Sequence, residues 1–358
     1  MRDREALQKL IGQMVTARKK ENQLCVGVDL GTSWTAVMSE GGFKYNDRTI
    51  VGYPKDIIGR RVVGSNCVFG EAALRQRSSL NLYFPLESGV IKDVTEKDIA
   101  AATEVLTYVV RLAQQGTDNE MCGIIGVPAR ASIFSKELLL NIAKDVLHSA
   151  VVVSEPFLVA YNLGKLHNSI IVDIGAGSID ICGVKGMLPR EEDQITLMTA
   201  GNHIDQCLMT AIGERYPDVQ LTRNLSRKLK EAHSFVGAPS SPVVVTLRAK
   251  GKPGKYEVTE EIRSTCESIV PDIVEAIQSI IRGFDPENQA DALENIYLAG
   301  GGSRIKGLDE MIKGAMKGYG KVRVQCVKDP VFGGCAGAIK LAHDVAPQFW
   351  DAIGTMLF

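Results

Sequence analysis

The chain has little of what marks several protein classes. Its eight cysteines, at positions 25, 67, 122, 182, 207, 266, 326 and 335, lie far apart and form no C-x-x-C pair. Zinc is therefore not expected, and unpaired thiols, several within apolar runs, fit a reducing cytosol. No stretch approaches the roughly 18 consecutive apolar residues of a membrane span, and no signal-peptide core precedes a small-residue cleavage site. A soluble, cytoplasmic protein is expected. Lys+Arg number 41 against 42 Asp+Glu, a net charge of −1, so no overall field draws in nucleic acid and none is expected as a partner. Low-complexity segments are absent. With 358 residues, 45% of them hydrophobic, the chain can bury two moderate cores, so two lobes are expected.

What is present is an Asp-x-Gly pattern, twice, each time at the end of an apolar run. The first is CVGVDLGTS, Cys25 to Ser33, and the second is IIVDIGAGS, Ile170 to Ser178. A buried strand that ends in a carboxylate and a glycine/hydroxyl turn lets backbone N–H groups approach phosphates while the aspartate faces their metal ion. Two copies, 144 positions apart, suggest two related halves that close on one nucleotide. Asp29 and Asp173 are the candidate magnesium carboxylates, acting through water because that ion gives up its hydration shell reluctantly. The turns Gly31, Thr32, Ser33 and Gly175, Ala176, Gly177, Ser178 are the candidate phosphate grips, with hydroxyl donors on Thr32, Ser33 and Ser178.

Residues 1–23 form a separate segment in which Leu7, Leu10, Ile11, Met14 and Val15 recur at helical spacing among basic positions. It reads as an amphipathic helix that packs on its own protein, or as one that lies on an anionic membrane or a partner. Strand signals follow at Leu24 and at Arg61 to Val63, and helical ones from Asp98 to Ala113. A long helix is expected from Glu260 to Arg282, kinked at Pro271. Pro156 opens a helix directly after Glu155, which places that carboxylate at a strand-to-helix junction. Gly300, Gly301, Gly302 and Ser303 end another apolar run, where a glycine turn lets backbone pass closely under a ligand. The apolar tail, including Phe349, Trp350, Ile353 and Phe358, should dock somewhere.

The order Asp29-x-Gly31, Ser154-Glu155-Pro156, Asp173-x-Gly175 to Asp180, Gly300 to Ser303 and Gly333-Gly-x-x-Gly337 resembles the actin, Hsp70 and sugar-kinase ATPase superfamily. The resemblance covers roughly residues 24 to 345. It implies an α/β, actin-like ATPase fold: two related RNase H-like lobes with the nucleotide cleft between them, in four subdomains. Lobe I would take 24–155 and 340–358, with a small IB insertion at about 45–85. Lobe II would take 156–339, with IIA at about 156–200 and 296–339 and IIB at about 201–295. The cofactors implied are ATP or ADP with Mg2+. Glu155 would orient the attacking water, with Asp173 and Asp180 as further catalytic carboxylates. Lys230 and Glu231 would face base and ribose, Asp205 the ribose, and Gly300 to Ser303 the α-phosphate and adenosine.

Longer stretches, among them Val51 to Gly59, Ile124 to Ser132, Val153 to Phe157 and Cys326 to Pro330, resemble the MamK family of actin-like filament proteins of magnetotactic bacteria. This implies an ATPase that polymerises into cytoplasmic filaments alongside magnetosome membranes and positions the magnetosome chain. Its partners would be itself and magnetosome-associated proteins. Two other readings stay open from the residues alone: a non-polymerising ATP-binding adaptor at the membrane, and a small-molecule kinase of the same superfamily.

Overall fold

A computed structural model describes residues 23–93 and 95–344 of the chain. The amphipathic N-terminal segment and the apolar tail with Phe349, Trp350, Ile353 and Phe358 lie outside the described residues. Those residues form two compact units: 23–167, 184–194 and 331–344 make the first, 168–183 and 195–330 the second.

The first unit opens with β1 (Gln23–Leu30), β2 (Trp34–Ser39) and β3 (Lys44–Arg48), an antiparallel meander. A small appendage follows, made of β4 (Val51–Pro54), α1 (Ile57–Val63), β5 (Val68–Phe69), α2 (Gly70–Arg75) and β6 (Leu80–Tyr83), its three strands paired in the order β5-β4-β6. A short hairpin of β7 (Leu86–Glu87) and β8 (Val90–Ile91) leads into α3 (Glu96–Gln114), whose N-terminus carries a Thr95–Asp98 capping box. Then come β9 (Glu120–Val127), α4 (Ile133–Lys144), β10 (Ser149–Ser154) and α5 (Glu155–Leu163), with β9 parallel to both β1 and β10.

Where a strand was expected at Arg61 to Val63, the chain is helical. Asp56 caps that helix by accepting from the Gly59 N–H at 2.7 Å, and Gly64, at φ +73°, closes it. The two caps outweigh the β preference of the paired valines.

The second unit repeats the plan. β11 (Ser169–Ile174) and β12 (Ile179–Val184) flank the second Asp-x-Gly turn, β13 (Gln194–Leu197) adds the outer strand, and α6 (Gly201–Arg215) and α7 (Arg223–His233) follow. An appended hairpin, β14 (Val244–Ala249) with β15 (Lys252–Glu257), precedes α8 (Thr259–Glu267), α9 (Val270–Arg282) and α10 (Pro286–Leu293). β16 (Ile296–Ala299), α11 (Leu308–Ala315) and β17 (Val324–Cys326) complete it. The single helix expected from Glu260 to Arg282 is two. The chain turns at Ser268 and Ile269, and Pro271 sits in the first turn of α9, where its missing N–H leaves no bond unmade.

The sheets have the same strand order, β3-β2-β1-β9-β10 and β13-β12-β11-β16-β17. In both, a three-strand run is extended by two parallel strands, and the Asp-x-Gly aspartate is the next-to-last residue of the central strand. The two related halves expected from the repeated motif are therefore present as a repeated topology. One five-stranded sheet with one small appendage per unit is the four-part layout of the actin-like fold.

Strand periodicity distributes the core. In β1, Val26, Val28 and Leu30 face a cluster with Leu106, Val109 and Leu139 of α3 and α4, while Cys25 on the opposite face joins Phe157, Leu158 and Leu341. Leu341 belongs to α12 (Gly333–Asp344), which returns the chain to the first unit. The small residues of α12 permit close approach: a Cβ on Gly337 would lie 1.8 Å from the Leu158 carbonyl oxygen, and one on Gly27 would lie 2.2 Å from that of Cys335. This packing moves the boundaries between the units. The crossings fall at 167/168, 183/184, 194/195 and 330/331, not at 155/156 and 339/340; α5 and α12 join the first unit because they bury their apolar faces on the β1–β9 sheet.

Candidate functional site

In the first unit the turn after Asp29 is closed by the Gly31 N–H donating to the Trp34 carbonyl at 3.1 Å. Thr49, fully buried, donates its hydroxyl to the Gly31 carbonyl at 2.7 Å, and its N–H reaches the Ser33 carbonyl at 3.1 Å. The Thr32 hydroxyl accepts from the Gly89 N–H at 2.6 Å, which leaves its own proton free to donate. The turn is thus braced from both sides with its backbone shape fixed.

Glu155, the first residue of α5, is brought to this turn by strand register. Asp29 lies opposite Gly126 on β9, and Gly126 lies opposite Val153 on β10. A Cβ on Gly126 would stand 2.7 Å from Glu155 Cγ, so the glycine leaves the channel through which the glutamate crosses β9. The Glu155 side chain is a neighbour of Asp29 and acts on its carboxyl. Burial pushes the Asp29 carboxyl up to about 6, against the lowering effect of Glu155. Behind the pair, the Cys335 thiol donates to the Ala36 carbonyl at 3.5 Å, and burial followed by the charge of Asp29 holds it well above the usual thiol range.

In the second unit the turn Gly175–Ser178 is closed by the Gly175 N–H on the Ser178 carbonyl at 2.9 Å. The start of α6 braces it: the N–H groups of Gly201 and Asn202 donate to the carbonyls of Gly175 and Ala176 at 3.1 and 2.7 Å. Asp173 lies opposite Ala299 on β16, next to the glycine turn. Gly300 has φ +72°, and a Cβ there would meet Asp173 Oδ1 at 2.3 Å and the Ile174 carbonyl oxygen at 2.5 Å. Gly302 is equally confined, its Cβ position 2.1 Å from Ile174 Cγ2. The Ser303 hydroxyl donates to the Gly300 carbonyl at 2.8 Å, which fixes the turn from its far end. Gly177 and Gly301 line the same two turns.

Asp180 is 2% exposed and accepts from the hydroxyls of Ser178 at 2.8 Å and Thr196 at 2.6 Å. Both of its oxygens are engaged. The Ser178 proton is directed to Asp180, so Ser178 does not present the hydroxyl donor expected of it.

The candidate base and ribose residues lie on α6 and α7. Lys230 Nζ is 2.7 Å from Asp205 Oδ1 and donates to the Gly201 carbonyl at 2.7 Å, tying α7 to the start of α6. Burial raises the Asp205 carboxyl above its ordinary value, with Lys230 pulling the other way. The Ser226 hydroxyl donates to the Asp205 carbonyl at 2.7 Å. Glu231 is engaged by Arg227, one helical turn earlier, at 3.1 Å.

The residues expected from the motifs fall into two sets. Asp29, Gly31, Thr32, Ser33 and Glu155 stand together in the first unit. Asp173, Gly175, Ala176, Gly177, Ser178, Asp180, Asp205, Lys230, Glu231 and Gly300 to Ser303 stand in the second. Reading the sequence missed four supports: Thr49, Gly126, Thr196 and Asn202. Only Gly126 carries a local signal, as a glycine inside the apolar run Ile124 to Val127.

The donor set suits magnesium. That ion needs one or two carboxylates with water and phosphate oxygens around them, not an all-protein cage. Each Asp-x-Gly strand supplies one such carboxylate, that of Asp173 lying in the space a Cβ of Gly300 would fill. Among the described residues no group of three His, Cys, Asp or Glu side chains could form a cage.

Comparison with known proteins places the family and the fold. The MreB/Mbl protein family model matches residues 23–348. The actin-like protein MamK of Paramagnetospirillum magneticum is 49% identical over 334 residues, 93% of this chain and 96% of that protein. Among solved structures, the MamK double helical filament superposes with a TM-score of 0.88 at 50% identity, covering 90% of this chain and 99% of that one. A non-polymerising MamK mutant bound to AMPPNP gives 0.71 at 49% identity, with coverages of 90% and 99%. The chain belongs to the MreB/Mbl family of actin-like proteins and, within it, to the MamK group.

Proposed function

We propose that the chain binds ATP with Mg2+, hydrolyses it, and polymerises with ATP into cytoplasmic filaments that organise and position the magnetosome chain. The observation that carries this reading is the Asp29–Glu155 pair beside a braced phosphate turn, together with a second Asp-x-Gly turn of the same topology. Two MamK structures support it, one a double helical filament and the other a non-polymerising mutant bound to AMPPNP.

Asp29 in the first unit and Asp173 in the second are each candidate carboxylates for magnesium, which when bound would compensate the charge of the phosphates. The N–H groups of both glycine turns bind phosphate oxygens. Glu155 accepts a hydrogen bond from the attacking water and orients it. Asp180 acts through Ser178 as a positioning residue, since its carboxylate is spent on two hydroxyls. Lys230 and Asp205 fix the start of α6 and thereby the second phosphate turn. Assembly then follows from a head-to-tail contact that does not close, the geometry that generates open filaments. Hydrolysis drives turnover by removing nucleotide contacts that favour the assembled conformer.

Electron microscopy and pelleting of the purified protein with ATP, with ADP and with a non-hydrolysable analogue test the proposal. Filaments with ATP and the analogue, and fewer with ADP, are expected. Nucleotide affinity without filaments under any of these conditions would favour the adaptor reading, and ATP turnover that rises on adding a sugar or acetate would favour the kinase.

A further inference from the structure

Within the second unit a recess of about 470 Å³ lies between the end of α7, the loop at 234–243 and the turn of Lys306 and Gly307 that leads into α11. That volume falls in the usual range of small-molecule sites. The loop is pinned at both ends, so the recess is preformed. At one end the Val236 N–H donates to the Lys306 carbonyl at 2.9 Å and the Gly237 N–H to Glu267 Oε1 at 2.9 Å. At the other the Val243 N–H donates to the Thr259 hydroxyl at 2.8 Å, and the Val243 carbonyl accepts from the Val258 N–H at 2.9 Å.

The lining is one-sided in charge. His233, Ser240, Ser241 and Lys306 bring an imidazole, two hydroxyls and an ammonium, and no carboxylate lines the recess. Among the described residues none of these four side chains has a hydrogen bond or ion pair within the chain. The remainder is apolar, with Phe235, Val236, Pro242, Val243 and Val244 as its chief members. Val244, the first residue of β14, is 53% exposed, so part of this apolar wall is left to solvent. Unpaired donors around a cation take an anion, and the apolar wall takes a hydrocarbon body.

The fold also limits the charge of that anion. The C-terminal end of α7 is the negative end of a helix dipole, which opposes negative charge, and the lining has no arginine fork of the kind that grips phosphate. A single negative charge is therefore favoured over the double charge of a phosphate monoester.

We propose that this recess binds an amphipathic monoanion, an aliphatic carboxylate, with its head group at Lys306 and His233 and its chain against Val243 and Val244. The site does not depend on the nucleotide reading, since none of the residues expected to hold nucleotide lines it.

Equilibrium dialysis of radiolabelled octanoate against the full chain tests the proposal, with octanamide as the uncharged counterpart. One saturable site per chain is expected, and octanamide should bind at least tenfold more weakly. K306M and V244D should each weaken octanoate at least fivefold and keep the parent circular dichroism, whereas K313M, on α11 outside the recess, should bind like the parent. No saturable site, equal affinity for octanamide, parental affinity in K306M and V244D, or strictly competitive displacement by ATP would each overturn the assignment.

Discussion

Glu155 passes over Gly126 to become a neighbour of Asp29, so two carboxyl groups from different elements of one unit stand together beside the first Asp-x-Gly turn. Strand pairing sets this contact, since Asp29 and Gly126 are register partners. Replacing Glu155 by Gln should slow phosphate release during assembly at least tenfold while nucleotide affinity stays within about threefold, as expected for an interaction realised in the transition state. An unchanged rate of release would remove Glu155 from the proposed mechanism.

Gly126→Ala tests the same contact from below. The added Cβ would lie 2.7 Å from Glu155 Cγ, so the glutamate must shift. A stability loss of about 1–3 kcal/mol is expected from overpacking, with a fall in ATP turnover close to that of the Glu155 variant. Chemical denaturation together with a phosphate-release assay measures both.

Asp29 gives stability a pH dependence of known sign. Its carboxyl rises from 3.8 to about 6 on folding, so between these values the folded chain binds more protons than the unfolded one. Stability from this group is therefore fully present below about pH 4 and lost as pH rises through about 6. Denaturation midpoints across that window should fall less steeply with pH in Asp29→Asn than in the parent.

Gly300→Ala meets two obstacles at once, a left-handed φ of +72° and a Cβ 2.3 Å from Asp173 Oδ1. The cost should exceed the roughly 1 kcal/mol of an ordinary glycine replacement, and nucleotide affinity should fall with it because the aspartate is displaced. Thermal unfolding with and without ATP separates the two effects. A variant with parental stability and affinity would contradict the described turn.

Lys230→Met would leave Asp205, 2% exposed, without its cation. Removing one partner of a buried pair costs about 3–5 kcal/mol, so the variant should be strongly destabilised. The double variant with Asp205→Asn should recover much of that loss, because the buried carboxylate left without Lys230 is then removed. Denaturant midpoints of the single and double variants provide the comparison.

Much of the plan was legible because it is local. The apolar run before each Asp-x-Gly turn announces a strand, the apolar spacing from Asp98 to Ala113 announces a helix, which runs from Glu96 to Gln114, and each Asp-x-Gly turn announces itself. The errors arose where short-range signals compete. The paired valines at 62 and 63 argued for a strand but yielded to the caps at Asp56 and Gly64, and Pro271, read as a kink, begins a new helix.

The sequence by itself determined the repeated motif, its residue chemistry and the two-unit plan, since each depends on contacts within a few residues. Only the tertiary structure decided that Glu155 meets Asp29, that Asp180 is consumed by Ser178 and Thr196, and that α5 and α12 belong to the first unit. Those facts depend on register and on helix packing across long separations. A chain read one residue at a time does not express them.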